Sequence, residues 1–338
     1  MPPSAASAPT CRASILLCKA WLLLVACAAS GCFLPPADDG GRLYEAAERA
    51  SVFVLVNGRH TGSGFFADPS GLVVTAAHMV KGKTDTIEVV SPVAGRLSAQ
   101  RVAIDLGHDI ALLRVPERAG PYPALPVARR VPPPGSKVFL FGDPVFRHRL
   151  LLTGFVAEAQ PTYCYSPGVA CYTRVLYVVG TSPEGTSGGS WLDRTGAVVG
   201  VQSGYLNNSA KYPVGIACVA PPEAIRELLA TKRSPEVPTL GTRLDELWSQ
   251  PAGFIARFPK GATGLVTVLP DKDGPVAKAG LTKESLITAI DGKPVTYLDD
   301  LMGVIASKKP GDDVAIEVLD PDGKPRRTLR IRLGRVQE

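Results

Sequence analysis

The sequence has few of the residues that build metal centres or bind nucleic acids. It contains only four histidines, and aromatic residues make up 7% of the chain. Two cysteines, Cys164 and Cys171, lie close together beyond the N-terminal segment, but no histidine pair supplies the second half of a zinc site. Lysines and arginines are dispersed and form no basic stripe with interleaved aromatic residues. We therefore expect no metal, no cofactor and no nucleic-acid partner.

The apolar run in the N-terminal segment is shorter than a transmembrane helix usually requires. Arg12 and Lys19 precede the uncharged run AWLLLVACAAS, which is followed by small residues. This pattern is typical of an export signal, predicted here over residues 1–31. Without these two basic residues the net charge of +6 falls to 6 − 2 = +4.

The end of this segment, ASGC, resembles a bacterial lipobox, which predicts that Cys32 carries a lipid. Two alternatives remain open: an ordinary cleaved leader, and a single membrane anchor from about Ala13 to Leu34. Residues 32–45 bear proline and glycine and are predicted to form a tether.

The stretch SPEGTSGGSWL, Ser182–Leu192, has a serine flanked by glycines between apolar runs. Ser187 is the candidate nucleophile. Glycines at 185, 188 and 189 let the backbone approach a substrate carbonyl closely. The N–H groups of Gly185 and Ser187 are the candidate oxyanion donors.

A base and an orienting acid for this serine occur upstream. His78 follows the apolar strand GLVVTAA, and Asp109 opens the apolar strand DIALLRV. A serine hydroxyl needs an imidazole to take its proton and a carboxylate to fix the imidazole tautomer. The chain order His, Asp, Ser predicts a mainly β, chymotrypsin-like double β-barrel, because other hydrolase folds use other orders.

Residues 46–233 are predicted to form this protease domain. Short apolar runs bounded by Gly, Pro and Asn recur at the spacing of an all-β domain, and PPEAIRELLATK is predicted to close it as a helix. The Pro-rich segment 234–244 is predicted to be a linker, and 245–338 a second domain.

The motifs GSGFFADPSGLVVTAAHMV, HDIALLRV and EGTSGGSWLDRTGAVVGV, followed by a PDZ-like tail, resemble the HtrA/Deg family of extracytoplasmic serine proteases. By this resemblance His78 matches the base, Asp109 the orienting acid and Ser187 the nucleophile. The family usually has Asn before the serine and Pro after the second glycine, where this chain has Thr186 and Ser190.

The resemblance also implies a specificity pocket. Thr181, six residues before Ser187, is expected at its base, with no acid there to meet Lys or Arg. Residues 201–204 are expected to pair with the substrate backbone, and 215–218 to line a wall. A small or medium apolar residue is therefore expected before the cut. The predicted pocket residues are Thr181, Val201, Gln202, Ser203, Gly204 and Cys218.

The C-terminal domain resembles one HtrA-type PDZ domain. We expect Leu265–Leu269 to accept an extended peptide as an added strand, beneath a helix over Leu298–Lys308. The residues predicted to bind peptide C-termini are Thr263, Gly264, Leu265 and Val266. A purely structural role for this domain is the alternative.

The remaining cysteines and histidines are assigned no catalytic role. Cys164 and Cys171 are predicted to form a disulfide in an oxidising compartment, while Cys218 is predicted to be a buried apolar side chain. The histidines outside the predicted triad, at positions 60, 108 and 148, are predicted to be exposed or incidental.

Together these features predict a serine endopeptidase of the bacterial cell envelope, on the periplasmic side and attached to the membrane by a lipid. Its expected partners are polypeptide substrates and peptide C-termini. The family is often trimeric, so a homotrimer is a further expectation. The alternative is a catalytically idle peptide-binding or chaperone-like scaffold.

Overall fold

The computed structural model describes residues 39–158, 160–208, 210–322 and 324–338. The predicted export signal and lipid site at Cys32 lie outside these ranges. None of the helices in the described ranges is long and apolar enough to cross a bilayer. The helices are α1 (Asp39–Ala50), α2 (Ala77–Val80), α3 (Pro222–Thr231), α4 (Ala252–Ile255), α5 (Pro275–Lys278) and α6 (Leu298–Ala306).

The first barrel is closed by six antiparallel strands in the order β1-β2-β3-β6-β5-β4. Its strands are β1 (Ser51–Val56), β2 (Arg59–Asp68), β3 (Leu72–Ala76), β4 (Ile87–Ser91), β5 (Gly95–Asp105) and β6 (Ile110–Arg114). Every residue of β3 is buried, as expected for an apolar strand with the core on one side and the second barrel on the other.

The second barrel is a sheet in the order β13-β12-β11-β7-β8-β10-β9, which closes through a further β13–β10 pairing. Its strands are β7 (Lys137–Gly142), β8 (Leu150–Val156), β9 (Thr162–Ser166), β10 (Cys171–Gly180), β11 (Ser190–Leu192), β12 (Val198–Asn207) and β13 (Pro213–Ala220). Phe65, Leu112, Phe141, Val201 and Ile225 belong to one core cluster that joins the two barrels to α3. The predicted mainly β double barrel is confirmed.

The C-terminal sheet has the order β15-β16-β17-β19-β20, and α6 packs on its apolar core. Its strands are β15 (Thr242–Glu246), β16 (Leu265–Pro270), β17 (Leu286–Ile290), β18 (Lys293–Pro294), β19 (Asp313–Leu319) and β20 (Arg327–Arg332), and β14 (Pro238–Thr239) pairs separately with β21 (Gly334–Arg335).

Two predicted segment boundaries need correction. The predicted tether, 32–45, includes the first half of α1, which buries Leu43 against the core. The predicted linker, 234–244, includes β14 and the start of β15, which pair with strands of the C-terminal domain. Both segments contain proline and glycine, but their apolar residues at 43, 240 and 244 are buried in cores.

Candidate active site

His78 and Asp109 are brought together by the pairing of β3 with β6. Ala76 lies opposite Ile110 in this ladder, so the residues that follow β3 meet the residue that precedes β6. The buried Asp109 carboxylate accepts the backbone N–H of His78 at Oδ1, and its Oδ2 lies 2.8 Å from His78 Nδ1. Because a buried carboxylate accepts hydrogen bonds, the ring proton belongs on Nδ1, which leaves the Nε2 lone pair as the base.

Ser203 links the acid to the candidate nucleophile. Its Oγ donates to Asp109 Oδ2 at 2.5 Å, and its carbonyl oxygen lies 3.5 Å from Ser187 Oγ, which donates to it. The sequence placed Ser203 in the specificity pocket and gave no sign of its contact with Asp109. Only the packing of β12 against the first barrel reveals it.

Ser187 is not engaged by the base in this conformation. Its Oγ donates to the Ser203 carbonyl, and no hydrogen bond joins it to His78 in the described part of the chain. Its own carbonyl oxygen accepts the N–H of Ser63 at 2.8 Å, which ties the segment to the first barrel. Such looseness is common in unliganded sites, where catalytic hydrogen bonds tighten when substrate binds.

The segment before Ser187 has the conformation that an oxyanion hole needs. Gly185 has φ +91°, and a methyl group there would lie 2.3 Å from the Asp143 carbonyl oxygen, so only glycine fits. Within the described ranges, the N–H groups of Gly185 and Ser187 donate to no other residue. Two amides are thus left available for an oxyanion. The Val145 N–H donates to the Glu184 carbonyl and so helps to fix the position of this segment.

The predicted specificity-pocket residues do not share one lining. The side chain of Gln202 is buried, where it accepts from Trp191 Nε1 and donates to the Gly204 carbonyl. Val201 is buried in the core, whereas Thr181 is exposed. The side chains of Val201 and Gln202 therefore cannot line a substrate pocket, a correction to the prediction.

The predicted PDZ peptide site is also wrong. Leu265 and Val266 lie on β16, which pairs with β15 on one side and β17 on the other, so no edge is left for an added peptide. Thr263 and Gly264 directly precede this internal strand, and a methyl group on Gly264 would lie 2.2 Å from the Ile287 carbonyl oxygen. The edge strand on this side of the sheet is β15, next to α6.

The outer edge of β15 is occupied by a tyrosine of β10, a strand of the second barrel. Tyr172 Oη accepts the N–H of Leu244 at 2.7 Å and donates to its carbonyl at 2.9 Å. Beside it, Thr162 Oγ1 and the N–H of Tyr163 donate to Asp299 near the start of α6. A side chain thus uses the backbone groups that an added peptide strand would need.

A cavity of about 470 Å³ continues this groove between the two domains. Leu244, Met302 and Ile305 line its side on the C-terminal domain, and His108 and Arg174 line its side on the barrels. His108 Nδ1 lies 2.7 Å from Asp105 Oδ2, while its Nε2 is buried without a partner among the described residues. His108 is therefore half-buried and paired with Asp105 rather than exposed.

The β9–β10 hairpin joins this groove to the candidate base. Its stem carries Tyr172, and at its turn Lys81 Nζ donates to the Gly168 carbonyl at 2.6 Å. A methyl group on Gly168 would lie 2.9 Å from His78 Cβ. One hairpin thus lies beside both the β15 groove and His78.

The predicted Cys164–Cys171 disulfide is not formed. Thr173, not Cys171, lies opposite Cys164 in the hairpin, and Cys171 Sγ donates to the Leu106 carbonyl at 3.4 Å. Cys164 Sγ instead lies 4.0 Å from Cys218 Sγ. The short sequence spacing misled the prediction, because register decides which cysteines meet.

His60 and His148 lie near the segment behind the oxyanion donors. His60 Nε2 is 3.2 Å from Asp143 Oδ2, so His60 is half-buried and paired. The ring of His148 lies 6.4 Å from that of Phe53.

Comparison with known proteins agrees with this architecture. Residues 62–201 match the trypsin-like peptidase domain family, and residues 238–332 match the PDZ domain family. Both matches agree with the resemblance to the HtrA/Deg family. A Brucella suis relative, named "Probable periplasmic serine endoprotease DegP-like", is 28% identical over 76% of this chain and 49% of its own length. Serine protease HTRA1 of Xenopus tropicalis is 28% identical over 74% of this chain and 55% of its own length. This chain thus spans about half the length of these relatives.

Solved HtrA structures share the fold. The HtrA-type protease AlgW, solved with a decapeptide, has a TM-score of 0.60 at 18% identity and covers 87% of this chain and 98% of its own. The serine endoprotease from Yersinia pestis has a TM-score of 0.58 at 19% identity, covering 89% of this chain and 99% of its own.

Proposed function

We propose that this HtrA-type protein is a serine endopeptidase that cuts misfolded or regulatory polypeptides with His78, Asp109 and Ser187. The observation that carries the proposal is the buried Asp109 carboxylate, which holds the His78 ring and also accepts from Ser203. Ser187 donates to the same Ser203 from the other side of this network.

The chemistry follows from this arrangement. Ser187 Oγ turns from the Ser203 carbonyl toward His78 and attacks the substrate carbonyl, while His78 Nε2 takes its proton. The N–H groups of Gly185 and Ser187 receive the oxyanion. The His78 imidazolium, stabilised by Asp109, then protonates the leaving amine, and a water molecule hydrolyses the acyl-enzyme.

Peptide C-termini would bind between β15 and α6. The unpaired edge of β15 and the apolar cavity beside it suit an extended peptide with an apolar last residue. Such a peptide must displace Tyr172 from Leu244. The β9–β10 hairpin then becomes free to move at its turn against His78, which gives peptide binding a direct route to the base.

The proposed location is the periplasmic side of the bacterial envelope, with the protein anchored by a lipid on Cys32. The ASGC sequence after an apolar run supports it, as does the periplasmic name of the Brucella relative. Cys32→Ser should release the protein from the membrane fraction. Retention in membranes would instead favour a membrane anchor made by the apolar run. The homotrimer stays a prediction.

Casein digestion tests the proposed activity. Purified wild type should cleave casein, and Ser187→Ala should not, because loss of a triad member costs about a million-fold in turnover in a well-studied serine protease. Ser190→Ala, three residues along the same segment, is the control that keeps Ser187. Cleavage that Ser187→Ala retains in full would contradict the proposed role of Ser187, and no cleavage by folded wild type would favour the idle scaffold.

A further inference from the structure

A pair of thiols connects the hairpin to the wall of the second barrel. Cys164 lies on β9 and Cys218 on β13, and both strands pair with β10. Cys218 Sγ donates to Cys164 Sγ across 4.0 Å, whereas Cys171 Sγ is buried on the Leu106 carbonyl.

The two thiols of the pair differ in accessibility and acidity. Cys164 is half-buried, while Cys218 is 6% exposed. The hydrogen bond from Cys218 lowers the pKa of the Cys164 thiol to about 7, even though burial opposes ionisation. The same contact and burial raise the pKa of Cys218. Cys164 is therefore the thiol able to attack an external reagent, with Cys218 held next to it.

We propose that Cys164 and Cys218 are a redox modification site that closes to a disulfide by exchange with an external disulfide, either a small molecule or a protein. The Cys164 thiolate attacks one sulfur of the reagent, forms a mixed disulfide and releases the other half as a thiolate. Cys218 then attacks Cys164 Sγ, the second half of the reagent leaves as a thiolate, and the protons from both cysteines pass to the two released thiolates. The protein is oxidised by two electrons and the external disulfide is reduced to two thiols.

Closure needs only a local movement. The sulfurs must approach from 4.0 Å to about 2.05 Å. β9 is the last strand of its sheet, so it can shift toward Cys218 without breaking a ladder on its far side.

The bond would fix the hairpin in the position seen here. β9 is the strand whose Thr162 and Tyr163 contact Asp299, and its hairpin partner β10 carries Tyr172 on Leu244. In the oxidised protein a peptide would have to displace a cross-linked hairpin from the groove. This consequence rests on the proposed function, whereas the bond itself does not.

Peptide mapping tests the bond without any measurement of activity. Trypsin places Cys164 and Cys171 in one peptide, 150–174, and Cys218 in another, 212–226. After incubation of the full chain with oxidised glutathione and blocking of free thiols, the non-reduced digest should contain these two peptides joined. Fragmentation should place the link at Cys164. Cys171→Ser should keep the joined species, and Cys164→Ser should lose it. A 150–174 peptide closed on itself, or both peptides recovered with blocked thiols, would overturn the proposal.

Alkylation rates provide a second measurement on unmodified protein. Iodoacetamide should label Cys164 at least about tenfold faster than Cys171 at pH 7, because burial raises the pKa of Cys171 to about 12. The Cys164 rate should fall about tenfold per unit below pH 7 as its thiolate is protonated. Equal rates for Cys164 and Cys171 would contradict the assignment of Cys164 as the attacking thiol.

A binding measurement tests the locking effect. A fluorescent peptide with an apolar C-terminal residue should bind oxidised Ser187→Ala protein about fivefold more weakly than the reduced form, and Cys164→Ser should remove this difference. A mapped cross-link with unchanged peptide affinity would overturn the locking effect. No binding in either form would count against the proposed peptide groove instead.

Discussion

The two halves of the candidate active site differ in how completely their hydrogen bonds are made. On the base side, Asp109 accepts from the backbone and ring of His78 and from Ser203, all within 2.8 Å. On the nucleophile side, Ser187 Oγ has one 3.5 Å contact, and the oxyanion amides have no partner in the described ranges. The base side is therefore built by the folding of the barrels, whereas the nucleophile segment leaves its hydroxyl and its two amides without close partners among the described residues in this conformation.

Substitutions in the oxyanion segment should reduce turnover more than substitutions on the base side. Gly185→Ala places a methyl group against the Asp143 carbonyl oxygen at a positive φ, which should turn the donor N–H away. Loss of one oxyanion donor costs about 10²–10³ in turnover, and casein or peptide hydrolysis would measure it. Gly253→Ala, where a methyl group meets nothing within 4 Å, is the matched control. Full activity in Gly185→Ala would remove Gly185 from the oxyanion hole.

Ser203→Ala should reduce turnover by less than Gly185→Ala does, because His78 keeps both of its own contacts with Asp109. The variant removes one hydrogen bond to a buried charge, and we expect about a tenfold loss of turnover. The pH–rate profile should also shift, since Ser203 acts through the carboxylate. Ser203→Thr, which keeps the hydroxyl, should restore the profile. A tenfold loss with no shift in the profile would indicate a purely structural role.

Tyr172→Phe should have the smallest effect of the three variants, and it should strengthen peptide binding rather than reduce turnover. It frees the N–H and carbonyl of Leu244, so a C-terminal peptide should bind the full chain about fivefold more tightly. Tyr165→Phe is the control, because the Tyr165 ring packs on Tyr172 but its hydroxyl makes no hydrogen bond in the described part of the chain. Unchanged or weaker peptide binding by Tyr172→Phe would place the peptide site elsewhere.

The sequence predicted features that depend on local pattern, and missed those that depend on which strands pair. Apolar runs predicted most barrel strands, but β5 is mostly polar and exposed along its first half, and β11 has three residues inside the serine motif. The apolar sequence of β16 suggested an edge strand that accepts a peptide. The edge strand is instead β15, which begins within the Pro-rich segment 234–244. The cysteine pairing failed for the same reason, because Cys218 is 54 residues from Cys164 along the chain.

The most direct test of the central claim, that Ser187 is a nucleophile activated by His78, is covalent labelling with a fluorophosphonate. We predict one phosphonyl group on the tryptic peptide 175–194, located at Ser187 by fragmentation, in the wild type but not in His78→Ala. The peptide also contains Ser182 and Ser190, whose hydroxyls serve as internal controls. Labelling of Ser187 that persists in His78→Ala, or no labelling of a folded wild type, would contradict the account.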